Sequence, residues 1–309
     1  MSDSMGGRPP AGVCPILATP FTADGEVDVP SFRREIDVLI AGGCQGVTLF
    51  GIAGEYYKLT DAERDRMAQV LMDQARGRVT TIISVTDHAT EVAVRSAQRF
   101  AALQPDCLML LPPFFLKPNA AATDRHIRAV AAAVPQTPIM VQYAPEQTGV
   151  GIAPDVFAAI ARDCPNVCHF KIECRPPGPY ISRLLDLTDR KVAVHVGNAG
   201  FQMIESFARG AVGVMPGASM FDVYLAIVEA LRAGDEQRAF EVHGRLLAVL
   251  NQIRQDVEMI IAFEKHILQR RGIIASDYCR QPSHRPDVVE RRMFECVYSQ
   301  IEPLLMIRD

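Results

Sequence analysis

Short apolar runs alternate with longer stretches of helical period along most of this chain. The runs VCPILAT (13 to 19), GVTLF (46 to 50), VTTIISV (79 to 85), DCLMLL (106 to 111), PIMVQY (138 to 143), VCHFKI (167 to 172), KVAVHV (191 to 196) and AVGVM (211 to 215) read as strands. Helices are expected between them near 30 to 41, 61 to 76, 89 to 103, 120 to 133, 154 to 162, 179 to 187, 200 to 209 and 219 to 232. Thr60-Asp61-Ala62-Glu63 has the form of a capping box, in which the threonine oxygen and the glutamate carboxylate satisfy amides of the first turn. Pro30 and Pro154 suit first helical turns, where no amide hydrogen is required.

After Gly234 the alternation stops, and 235 to 309 offers helical patterns only. Eight strand-helix units in about 220 residues, with short links, predict an α/β chain with a (β/α)8 barrel. An open doubly wound sheet is the competitor, but no GxGxxG or GxxxxGK loop follows any strand. The expected organisation is a disordered or extended start over 1 to 11, a barrel over 12 to 234 and a three-helix extension over 235 to 309. That extension has more apolar positions (Leu246, Leu247, Val249, Leu250, Met259, Ile260, Ile261, Phe263) than one helix face needs. Packing against the barrel or a second subunit accounts for the excess.

Composition changes this picture little. The chain has 309 residues, 49% hydrophobic and 22% charged, enough for one large core. Its 32 Lys and Arg against 36 Asp and Glu give a net charge of -4 with no basic cluster, so nucleic acid is not an expected partner. No apolar stretch approaches the roughly 20 residues that span a bilayer, and MSDSMGGRPP does not look like a signal peptide. A cytoplasmic protein is the expectation. Cys14, Cys44, Cys107 and Cys168 sit in apolar runs and read as small buried hydrophobes. Cys164, Cys168 and Cys174 are close but irregularly spaced, and neither a metal nor another cofactor is expected.

The chemistry is sought at the carboxyl ends of the strands, where a barrel of this kind carries its site. Along VCHFKIE, Cys168, Phe170 and Ile172 share one face, and Val167, His169, Lys171 and Glu173 the other. The apolar set suits the helix-facing outside, which points Lys171 into the barrel mouth. An amine in apolar surroundings is disfavoured in its charged form, and a neutral amine attacks a ketone. The competing reading is a structural lysine paired to Glu173 or Glu55. Gly51-Ile52-Ala53-Gly54-Glu55, directly after the second strand, is either a tight turn alone or a turn whose amides hold a carboxylate.

Taken in order, GVCPILATPFTADGEVD, GIAGEYYKLTDAER, LLPPFFLKP, APEQTG, FKIE and HVGN resemble the family of dihydrodipicolinate synthase and N-acetylneuraminate lyase, over nearly the whole chain. PIMVQYAP, FKIE and RRGIIASDYCRQP resemble its 2-keto-3-deoxy-L-arabonate dehydratase branch. The resemblance implies a class I lyase in which Lys171 forms an iminium with a 2-keto acid and the turn at Ile52 and Ala53 receives the carboxylate. It implies a homodimer or homotetramer.

Four departures concern the chemistry. Ile52 and Ala53 stand where the family usually has two hydroxyl residues. The usual catalytic tyrosine falls on Gln142, with Tyr143 next to it, and glutamine donates a hydrogen bond but relays no proton. Phe114 and Phe115 stand where an aromatic pair usually supplies a hydroxyl, and Gln147 where an arginine binds a second carboxylate. Dehydration of a 2-keto-3-deoxy sugar acid, such as 2-keto-3-deoxy-L-arabonate, therefore fits better than dihydrodipicolinate synthesis. Carbon-carbon cleavage or formation with pyruvate is the alternative.

Lys171, Gln142 and Tyr143 are the catalytic candidates. Ile52, Ala53, Glu55, Phe115, His195, Gly197 and Asn198 are the substrate-binding candidates. Two rival readings stand beside these: a metal-dependent aldolase using His169, His195 and Glu173 or Glu55, and a protein that binds a keto acid without turnover.

Overall fold

The computed structural model describes residues 10 to 306. Most of the segment expected to be extended at the start therefore lies outside the described residues. In chain order the strands are β1 Gly12–Val13, β2 Gly46–Leu49, β3 Thr80–Val85, β4 Cys107–Leu110, β5 Ile139–Tyr143, β6 Val167–Ile172, β7 Ala193–Val196 and β8 Gly213–Val214. The helices are α1 Val29–Ala41, α2 Asp61–Ala75, α3 Thr90–Ala101, α4 Ala120–Ala133, α5 Pro145–Thr148, α6 Pro154–Asp163, α7 Gly178–Leu187, α8 Met203–Arg209, α9 Phe221–Arg232, α10 Glu236–Ile253, α11 Val257–Arg270 and α12 Val288–Tyr298. The strands form one eight-stranded sheet in the order β1-β8-β7-β6-β5-β4-β3-β2. This is the strand succession of a (β/α)8 barrel, the fold class expected from the pattern.

The chain forms two compact units. One runs from Thr80 to Met215, with the first described residues, and carries β3 to β8. Its strands pair in parallel, and Gln142, Lys171 and His195 are successive partners across β5, β6 and β7. Paired residues of parallel strands face the same way, so these three side chains share the inner face. Outside it, Phe170 packs on Phe157 of α6, with centroids 5.3 Å apart. A register step between Ile139 and Met140 leaves Cys168 without a partner residue, and Cys168 is half-buried instead of buried as expected.

The other unit holds Gly12–Val79 and the chain from Pro216 onward. Its first strand is far shorter than the apolar run over 13 to 19. Pro15 has no N–H to give the ladder, and pairing continues only as bridges from Ile16 to Thr48 and Gly217. The capping box at Thr60 forms with both of its bonds. Pro30 and Pro154 stand in first helical turns, the latter in the first unit. Beyond Gly234 come α10, α11 and α12, and Phe294 packs between Phe263 and Tyr298. Among the described residues no helix is long and apolar enough to cross a membrane.

Candidate active site

Lys171 is 4% exposed, and its Nζ lies 3.2 Å from Oε1 of Glu173. Period-two alternation carries both side chains to the inner face of β6 and its extension. Gln142 Nε2 donates to Glu173 Oε2 at 2.7 Å, and the backbone N–H of Asn198 donates to Oε1 at 2.9 Å. Burial by itself raises the Glu173 pKa. The Lys171 charge, the Gln142 amide and the Asn198 N–H favour the carboxylate, and the net shift is downward.

Gly197 makes this carboxylate possible, because a Cβ there would stand 2.2 Å from the Glu173 side chain. The turn that follows holds Asn198 at φ 52° and Ala199 at φ 51°, both left-handed, which aims the Asn198 N–H at Glu173. The expected helix start at 200 is displaced to Met203 by this turn.

His195, expected to touch substrate, is wholly buried, and neither ring nitrogen has a hydrogen-bond partner among the described residues. Burial, with His169 and Lys171 adding to it, puts its pKa well below the usual histidine value. His169, its ring 5.6 Å away, is lowered by burial to about 4. Both are therefore neutral imidazoles at physiological pH. Among the described residues no group of three or more His, Cys, Asp or Glu is arranged to hold a metal ion.

Tyr143 is not brought to Lys171. The alternation that turns Gln142 inward turns Tyr143 outward, where its hydroxyl accepts from the Ile152 N–H at 3.2 Å and its ring stacks on Tyr180. Phe115 is exposed, and Phe114 packs on His88.

Ile52 and Ala53 belong to the second unit, in a short 3-10 turn after β2. Gly54 is required there, because a Cβ would stand 2.7 Å from the Leu17 carbonyl oxygen. Glu55 is fully buried, its carboxylate paired with Lys58 at 3.2 Å and with Lys265 of α11. A carboxylate held between two ammonium groups is spent on the fold, which explains a glutamate at this point without a substrate.

Glu173 is the group that sequence reasoning treated only as a partner for the lysine or as a metal ligand. Its signal was present, two residues past Lys171 on the same face. What the sequence did not carry was the convergence of Gln142 and the Asn198 N–H on that carboxylate.

The profile of the Dihydrodipicolinate synthetase family matches residues 9–299. The chain is 27% identical over 300 residues to the L-2-keto-3-deoxyarabonate dehydratase of Azospirillum brasilense, covering 96% of each. It is 30% identical over 285 residues to a 4-hydroxy-tetrahydrodipicolinate synthase of Thermus thermophilus, covering 91% of this chain and 93% of that one. Among solved structures, a putative dihydrodipicolinate synthetase from Pseudomonas aeruginosa superposes with a TM-score of 0.88 at 27% identity, over 95% of this chain and 100% of that one.

Proposed function

Since this chain belongs to the dihydrodipicolinate synthetase family, a family of lyases, we propose that it dehydrates a 2-keto-3-deoxy sugar acid, such as 2-keto-3-deoxy-L-arabonate, through an iminium on Lys171. One observation carries the reading: a buried amine 3.2 Å from a carboxylate that two further donors hold in place. An amine for covalent capture and a fixed proton carrier beside it are the two groups this chemistry needs.

The atoms balance without a cofactor. Nζ bonds to C2 of the keto acid and keeps one of its hydrogens, while two pass to the ketone oxygen, which leaves as water. Glu173 is within reach to relay them. The iminium then draws electrons from C3, Glu173 takes a C3 proton, and an enamine forms. The enamine expels the C4 hydroxyl, Glu173 returns the proton to it, and a second water departs. Hydrolysis of the remaining iminium frees Lys171. Gln142 and the Asn198 N–H keep the carboxylate aimed throughout. Tyr143, with its hydroxyl on Ile152, takes no part.

Aldol cleavage shares the iminium but breaks C3–C4. The synthase relatives support it as the second reading. Incubation with pyruvate and, separately, with 2-keto-3-deoxy-L-arabonate, followed by borohydride and peptide mapping, tests the common step. An adduct on Lys171 is expected with both, and none with either overturns the proposal. Without borohydride, loss of water from the sugar acid marks the dehydratase, whereas release of pyruvate and glycolaldehyde marks the aldolase.

A further inference from the structure

Lys171, Glu173 and Arg175 are spaced by two along the chain, and Arg175 lies past the end of β6 in the following loop. Its Nε lies 3.2 Å from Oε1 of Glu146 in α5, and a terminal nitrogen donates to Asn198 Oδ1 at 3.2 Å. Its guanidinium sits 5.7 Å from the Phe201 ring centroid. Arg175 thus joins the segments that follow β5, β6 and β7.

Asn198 has two jobs. Its side chain accepts from Arg175, and its backbone N–H donates to Glu173. An unbroken polar path therefore runs from Lys171 through Glu173 and Asn198 to Arg175 and Glu146. Along it exposure rises from 5% at the Lys171 side chain to 51% at Arg175.

A keto acid held by Nζ at C2, with Glu173 at C3 and C4, leaves its remaining carbons to extend toward the exposed end. The groups there are suited to hydroxyls: the guanidinium offers donors in a fixed fork and Glu146 offers acceptors. They are not suited to a second carboxylate. Lys171 and Arg175 carry two positive charges, Glu173 and Glu146 two negative ones, and no net charge remains along the path to attract another anion.

We infer that Arg175, held by Glu146 and Asn198, recognises the uncharged hydroxyl-bearing end of the keto acid, and that its pairing with Glu146 discriminates against keto acids with a terminal carboxylate. The inference rests on the iminium reading above, and its experiment separates the two.

Arg175→Gln and Glu146→Gln are compared with the unaltered enzyme on three keto acids. The KM for 2-keto-3-deoxy-L-arabonate is measured in turnover. The concentrations of pyruvate and 2-ketoglutarate that give half-maximal borohydride labelling of Lys171 are measured by peptide mapping. Arg175→Gln is expected to raise the sugar-acid KM about tenfold, the size of one charge-assisted hydrogen bond, with pyruvate labelling unchanged. Glu146→Gln is expected to lower the 2-ketoglutarate concentration about tenfold, because the guanidinium charge is released. If Arg175→Gln shifts pyruvate and the sugar acid together, Arg175 acts only by positioning Glu173 through Asn198, and the inference is overturned. An unchanged sugar-acid KM, or no gain with 2-ketoglutarate, also overturns it. No adduct in the unaltered enzyme with any of the three acids removes the iminium reading, and this inference with it.

Discussion

Replacing Glu173 by Gln isolates proton transfer from geometry. The substitution keeps the volume and leaves Oε1 to accept from Lys171 and from the Asn198 N–H. Oε2 becomes an amide nitrogen facing Gln142 Nε2, two donors at 2.7 Å, and the Gln142 amide must turn over to present its oxygen. After that turn the hydrogen bonds are restored, and what is missing is a group that accepts and returns a proton. General acid-base catalysis contributes roughly 100- to 10,000-fold, or about 3 to 5 kcal/mol of barrier, so turnover should fall by that range.

Removing one charge of a buried pair also destabilises, by about 3 to 5 kcal/mol where burial is complete, so unfolding is followed on the same samples. The assay is single-turnover dehydration of 2-keto-3-deoxy-L-arabonate, with borohydride labelling of Lys171 after long incubation as the second readout. Labelling should persist while turnover is lost, because the iminium equilibrium does not depend on the rate at which protons move. Turnover within about threefold of the unaltered enzyme, in a folded variant, would falsify the assignment of Glu173 as proton carrier. As a companion, Gln142→Leu keeps the charge but frees the carboxylate to swing, and should lower turnover about 10- to 100-fold through loss of one hydrogen bond to a charged group.

Three further expectations follow from the buried charges and the exposed apolar surface. Glu35 is fully buried, accepts from the Ala18 N–H at 2.8 Å, and is pushed up by burial to about 8 from 4.5. The folded state then holds a proton that the unfolded state releases, so this group's contribution to stability falls as pH rises from 4.5 to 8, by about 5 kcal/mol at most. Glu35→Gln should flatten that slope in urea unfolding between pH 5 and pH 8, and parallel curves for the two proteins would refute the account. His169 acts in the opposite sense. The unfolded state takes up a proton below 6.5 while the folded ring stays neutral to about 4, so its stabilisation is complete above 6.5 and declines toward pH 4 by about 3 kcal/mol. His169→Gln should remove that acid-side loss, and an unchanged profile counts against it. Finally, Phe240, Val288 and Val289 expose apolar surface on the C-terminal helices, and sedimentation should give a dimer or tetramer; a 34.0 kDa species alone at all concentrations would contradict this.

The alternation of period-two and helical runs determined the fold class, because burying one face of each element imposes that rhythm on any window of a few residues. The same local rule placed Lys171 on the inner face of its strand, but Gln142 and Tyr143 stood together as candidates until the pairing of β5 with β6 turned the first inward and the second outward. The capping box at Thr60 was likewise legible, since all its atoms lie within one turn. Pro15 shows how a local signal is misjudged: the apolar run was real, but its missing N–H confined the ladder to bridges.

What only the tertiary structure decided is which charges meet. Glu55 and Glu173 each follow a motif that resembles an active site. Lys265, from a helix far along the chain, takes up Glu55, whereas Glu173 receives Gln142, the Asn198 N–H and Lys171. Hydrogen bonds act over about 3 Å in space and not along the chain, so their partners are set by the packing of distant elements. The same physics separates His195 from solvent and brings Arg175 beside Glu146 and Asn198. The sequence carried the amine and its strand; the fold supplied the carboxylate's clamp and the polar path leading out from it.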